Sequence, residues 1–86
     1  MNVDFTKAFN KQFEKLSKKK QQRARATVAL FVTNTTATSL RNHSLKGEWF
    51  GYRSISAGGD FRLHFKVVDQ DTVLFVAVGT HSQLYK

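Results

Sequence analysis

Apolar residues in the first third of the chain return at helical spacing. Phe5, Phe9, Phe13 and Leu16 fall at i, i+4, i+8 and i+11, which lays one stripe along a helix. Lys7, Lys11, Lys15 and Lys18 repeat at similar intervals and form a separate cationic stripe. Val3 to Phe5 reads as a short strand ahead of that helix. Lys18-Lys19-Lys20 marks a turn or a second helix start, and Ala24, Val28, Phe31 and Val32 supply the apolar side of the second helix. The predicted unit is a helical hairpin.

From Thr33 to Ser39 the chain turns to Thr, Asn and Ala with no charge, a composition that favours a loop over continued helix. The period then changes. Trp49 to Ser56 is aromatic-rich and bounded by Gly47 and by Ala57-Gly58-Gly59, which predicts a strand. Its Trp49 and Phe50 are read as core residues. Asp60 to Val68 alternates, with Phe61, Leu63, Phe65 and Val67 on one face and Asp60, Arg62, His64 and Lys66 on the other. Asp69-Gln70-Asp71 is a turn, and Thr72 to Val78 is apolar on both faces, as in a central strand. The expected architecture is α+β, a helical hairpin packed on a small antiparallel meander.

Composition narrows this to one small domain spanning 1–86, with 41% apolar and 13% aromatic residues, which excludes a disordered basic tail. No cysteine is present to form a disulfide or a thiolate metal site. The start of the chain has no unbroken apolar stretch of secretory type, and no run approaches a membrane span, so a cytoplasmic protein without membrane contact is expected. The net charge of +8 calls for a polyanionic partner. It is unevenly spread: residues 1–30 hold eight Lys/Arg and two Asp/Glu, a net of +6, while residues 41–86 hold six and four, a net of +2. Long-range attraction and chemistry are therefore assigned to different elements.

The residues able to do chemistry are His43, Asp60, Arg62, His64 and His81, with Tyr85 beside the last. Histidine transfers protons near neutral pH, and an arginine on one strand face with a carboxylate can hold a phosphate and stabilise charge developing on it. Each signal has a plainer reading: a surface histidine, a turn aspartate after Gly58-Gly59, the solvated face of a strand. Other chemistries fit less well. Phosphate-binding glycine motifs are missing, the histidines lack zincin spacing, and Ser54 and Ser56 lie outside any nucleophile elbow. Metal-free acid–base chemistry on a phosphodiester is the best match to these residues.

Three ordered blocks carry a resemblance. They are Ser39-Leu40-Arg41-Asn42-His43-Ser44-Leu45-Lys46-Gly47-Glu48-Trp49, then Gly51-Tyr52-Arg53 with Gly59-Asp60-Phe61-Arg62-Leu63, then Gly79-Thr80-His81-Ser82-Gln83-Leu84-Tyr85. Together they resemble the RelE superfamily of bacterial toxins, and within it the YafQ branch, over nearly the whole chain. The resemblance implies the toxin of a type II toxin–antitoxin pair, an endoribonuclease that enters the ribosomal A site and cuts mRNA without a cofactor. A cognate antitoxin would neutralise it. In that chemistry the 2′-hydroxyl attacks the adjacent phosphorus, leaving a 2′,3′-cyclic phosphate and a 5′-hydroxyl.

By position, His81 matches the family's general acid. His43 and Asp60 match residues that serve as base or orient it, and Arg62 matches an arginine on the scissile phosphate in other RelE-like toxins. Tyr85 falls where an aromatic residue approaches the nucleotide, and Lys46, Arg53, His64 and Phe61 complete the candidate RNA contacts. Two departures stand out. Ser54 and Ser56 replace an aspartate and a histidine common in the YafQ branch, and the loop before His43 lacks prolines found in relatives. The rival expectations are a toxin of the same fold that poisons DNA gyrase, and a basic nucleic-acid-binding module with structural histidines.

Overall fold

A computed structural model describes residues 1–85 of the chain. Strand β1 (Asn2–Phe5) leads into helix α1 (Lys7–Glu14), and α2 (Lys18–Thr33) follows directly. Each helix starts on a hydroxyl cap: Phe9 N donates to Thr6 Oγ1 at 3.1 Å, and Lys20 N to Ser17 Oγ at 3.2 Å. Such caps satisfy amides that the first turn leaves without partners. Short strand β2 (His43–Ser44) comes next, then β3 (Arg53–Ser56), β4 (Phe61–Asp69), β5 (Thr72–Thr80) and a four-residue helix α3 (His81–Leu84).

The five strands form one sheet in the order β1-β5-β4-β3-β2. The meander β2 to β5 is antiparallel as expected, but β1 pairs parallel to β5, with Val3 opposite Val73 and Phe5 opposite Phe75. The sheet is therefore mixed. The hairpin sends the chain over the sheet before the meander begins, so the first and last strands meet side by side.

Both helices cover one face of the sheet. Phe9, Ala24 and Phe31 bury there against Ile55, Leu63, Phe65 and Phe75, and the Phe31 ring lies 4.7 Å from that of Phe65. A side-chain bond also ties the layers: Val78 N donates to Gln12 Oε1 at 2.9 Å. In α2 the buried positions are Ala24, Thr27 and Phe31, while Val32 turns outward.

The aromatic block departs from its expectation. Gly47–Trp49 is a 3₁₀ turn, and the strand begins only at Arg53. Gly47 at φ +64° and Gly51 at φ +94° adopt the left-handed conformation that only glycine takes readily, which curls the segment. Phe50 N donates to Gly47 O at 3.0 Å, leaving the Phe50 ring 82% exposed instead of in the core. Asp60 likewise sits in the turn before β4, as in its plainer reading. Val67 keeps its register opposite Val73 but stays exposed at the rim of the sheet, just before the β4–β5 register slips between Val67 and Asp69.

Candidate functional site

The site lies on the face of the sheet turned away from the helices. Cross-strand register aligns His43, Ser54, His64 and Ala77 in one row, and Ser56, Arg62 and Gly79 in the next. Side chains of paired residues share a face, so two sequence-distant histidines and Arg62 come together. The C-terminal helix folds onto this row. Gly79 permits the approach, because a Cβ there would sit 2.9 Å from Gln83 Oε1. That oxygen accepts from Thr80 N at 2.8 Å and closes a capping box with Thr80 Oγ1.

His81 opens the helix. Its backbone N donates to Asp60 O at 2.8 Å, and its exposed ring lies 4.4 Å from that of Tyr85. The Tyr85 hydroxyl reaches His64 Nε2 at 3.3 Å. Trp49 closes the side: its ring meets His64 edge-on at 4.4 Å, and its Nε1 donates to Leu84 O at 3.2 Å. Trp49, read from sequence as core, is thus a wall of the site. Its place in an aromatic block was the available signal, but the fold had to show which side it faces.

His43 is exposed on the edge strand, and its Nδ1 lies 2.8 Å from Arg41 O. A carbonyl only accepts, so Nδ1 carries the hydrogen and Nε2 keeps the lone pair in the neutral ring. That leaves Nε2 free to take a proton. Arg41, which nothing in the sequence singled out for this, holds the ring from the left-handed conformation at φ +49°. Arg62 Nη1 donates to the carbonyls of Gly59 and Phe61 and to Ser56 Oγ, bracing the turn that carries Asp60. Ser56 Oγ also accepts from Gly58 N at 3.2 Å.

Burial divides the remaining candidates. Phe61 is 2% exposed and packs in the core, with Lys20 Nζ 5.8 Å from its ring centre, so it does not stack on a base. Its place on the apolar face of β4 puts it under the helices. His64 is fully buried, so it does not contact RNA directly, although it shares the site's face. Burial, reinforced by His43, His81 and Arg62, lowers its pKa from 6.5 to about 4. The ring is neutral at neutral pH. Burial raises the Tyr85 phenol, so it stays protonated there. Arg53 sits across the sheet from the histidine row, opposite Phe65, with Nε donating to Asn42 Oδ1 at 2.8 Å. It faces a separate polar hollow shared with Thr36, Thr38 and Arg41. Lys46 is exposed at the start of the Trp49 turn.

Among the described residues, no three His, Cys, Asp or Glu side chains are grouped to hold a metal ion. Nor is any helix there long and apolar enough to cross a membrane. An apolar groove of about 310 Å³ lies between the helices, lined by Phe5, Phe9, Phe13 and Val28 with Arg25 at its rim.

Two helices on a five-stranded mixed sheet is a fold this chain shares with solved bacterial toxins. The chain superposes on the crystal structure of YafQ from E. coli strain BL21(DE3) with a TM-score of 0.83 at 21% identity, covering 99% of this chain and 98% of that one. The E. coli DinJ–YafQ toxin–antitoxin complex gives 0.80 at 22%, covering 99% and 97%. The YoeB/ParE toxin from Agrobacterium tumefaciens gives 0.77 at 15%, covering 94% and 99%. These likenesses are of fold. The model of the family described as the bacterial toxin of type II toxin–antitoxin system, YafQ, matches residues 1–86, and the chain belongs to that family. A search of curated proteins finds no match. The resemblance carried by the three sequence blocks is borne out at the level of family.

Proposed function

We propose that this toxin is a ribosome-dependent endoribonuclease of the cytoplasm, a single domain that halts translation by cutting mRNA in the A site. The observation that carries the reading is the exposed ring of His43 on the edge strand, tied through Nδ1 so that Nε2 can accept a proton, together with the exposed His81 that opens the helix packed on the same side through Tyr85 and His64. His43 Nε2 removes the proton of the 2′-hydroxyl, with Asp60 as the alternative base. The 2′-oxygen bonds to phosphorus, the bond to the 5′-oxygen breaks, and His81 protonates that leaving oxygen. The products are a 2′,3′-cyclic phosphate and a 5′-hydroxyl. The nitrogens of Arg62 not engaged with the turn stabilise the charge on phosphorus in transit. Lys46 and the helical lysines hold RNA phosphates, and Tyr85 contacts the nucleotide.

The reading includes a cognate antitoxin, as in the DinJ–YafQ complexes. The groove at Phe5, Phe9 and Phe13 beside the lysines of α1 suits a segment that is apolar on one side and acidic on the other. The test is cleavage of message on programmed ribosomes by wild type and by His81→Ala. Cutting by wild type alone is expected, with the fragment ends named above. Intact message from both, or equal cutting by both, overturns the assignment. A gyrase supercoiling assay run alongside separates a nuclease from a gyrase poison.

A further inference from the structure

His64 is costly to the fold. It is fully buried, its Nδ1 has no hydrogen-bond partner, and neither has Ser54 Oγ opposite it on β3. A buried polar atom left unpaired destabilises a protein, and an apolar side chain of similar volume would remove that cost. Stability therefore does not account for a histidine here. Its one hydrogen bond does point somewhere: Nε2 meets the Tyr85 hydroxyl at 3.3 Å, and the Tyr85 ring lies 4.4 Å from that of His81. Trp49 packs edge-on against the same imidazole and holds the end of α3 through Leu84 O.

We propose that His64 is a positioning residue, which locks Tyr85 and, through it, the ring of His81 in place for proton delivery. The short helix needs such an anchor. Four residues make too few internal bonds to hold themselves, so tertiary contacts decide where His81 points. The neutral imidazole can accept from the phenol, whereas a protonated one could only donate. His64 touches no substrate and acts only through Tyr85 and Trp49. The part played by His81 rests on the nuclease reading above, but the placement of its ring does not.

The test uses the full chain with His64→Ile, His64→Gln and Tyr85→Phe. Isoleucine fills the site without a hydrogen bond, while glutamine keeps one for the phenol. In the RNA-free protein, NMR should show the His81 ring resonances shifted in His64→Ile and Tyr85→Phe. Amide exchange in α3 should be about tenfold faster than in wild type, with thermal stability undiminished. His64→Gln should restore both readouts toward wild type. On programmed ribosomes, His64→Ile should lose about 10²-fold in kcat with KM little changed, as a misplaced catalytic group does.

If folded His64→Ile leaves the His81 resonances and α3 exchange as in wild type, the proposal is wrong. It is equally wrong if the variant cleaves with wild-type kcat. Should the NMR changes occur while wild type itself fails to cleave, the nuclease reading falls and the positioning of His81 stands.

Discussion

The backbone N–H of His81 donates to the carbonyl oxygen of Asp60 across 2.8 Å. That bond joins the first residue after the last strand to the turn before β4, so two candidate catalytic residues are placed by backbone instead of by flexible side chains. Arg62 fixes the same turn from below through Gly59 O.

A further support of His81 is the capping box behind it. Gly79→Ala would push a methyl to within 2.9 Å of Gln83 Oε1, the atom that accepts from Thr80 N. The expected result is loss of that cap, costing about 1 kcal/mol, with amide exchange in α3 accelerated and exchange in the β4–β5 core unchanged. Message cleavage should fall in parallel. Unchanged exchange at 81–85 would show that the box does not hold the helix.

Phe61 should behave as a core residue. Truncation to alanine is expected to cost about 3–5 kcal/mol, a large fraction of the stability of so small a domain, visible in urea unfolding. Phe61→Leu should keep most stability and wild-type cleavage. A Phe61→Leu protein that stays folded but loses RNA affinity would return this ring to the substrate surface.

Ser54 offers a stabilising change. Its Oγ is buried without a partner, so Ser54→Ala should relieve a desolvation cost of about 1 kcal/mol. In a domain of this size that raises Tm by about 4–8 °C. A lowered Tm in calorimetry would mean that the hydroxyl is satisfied in solution.

The buried imidazole makes folding sensitive to acid. His64 has a folded pKa of about 4 against 6.5 for an exposed histidine, so below 6.5 the unfolded chain binds a proton that the folded chain refuses. Its contribution is complete above pH 6.5 and is lost as pH falls toward 4, by roughly 3 kcal/mol over that window. Urea midpoints for wild type should therefore fall more steeply between pH 6.5 and 4 than those of His64→Ile. Parallel curves for the two proteins would remove this assignment.

Much of this protein was written in its local pattern. The helical stripe of Ala24 to Phe31 and the alternation of Phe61 to Phe65 each follow from one periodicity that a single element must satisfy. Of the stripe Phe5 to Leu16, by contrast, only Phe9 and Phe13 lie in α1, Phe5 closing β1 and Leu16 following the helix. The blocks around His43, Asp60 and His81 were legible too, because their residue types and order persist whatever the packing. Other features had no local signal. The parallel pairing of β1 with β5 joins residues about seventy positions apart, and no pattern in Val3 to Phe5 specifies its partner. Phe50 and Trp49 are adjacent aromatics, yet one is exposed and the other forms a wall, because turns at Gly47 and Gly51 decide their directions.

Arg53 and Ser54 show the division most simply. Neighbours in sequence, they stand on opposite faces of β3, one beside Asn42 and the other buried opposite His64. The sequence alone determined the main helices and long strands, the charge and the family, since these depend on residue type and spacing. The turn at Trp49, the short strand β2 and helix α3 emerged only in the fold. Only the tertiary structure decided which face met the helices and which histidine was buried. Burial is a property of packing between distant segments, and it made one histidine a neutral support and left His43 and His81 open to a substrate.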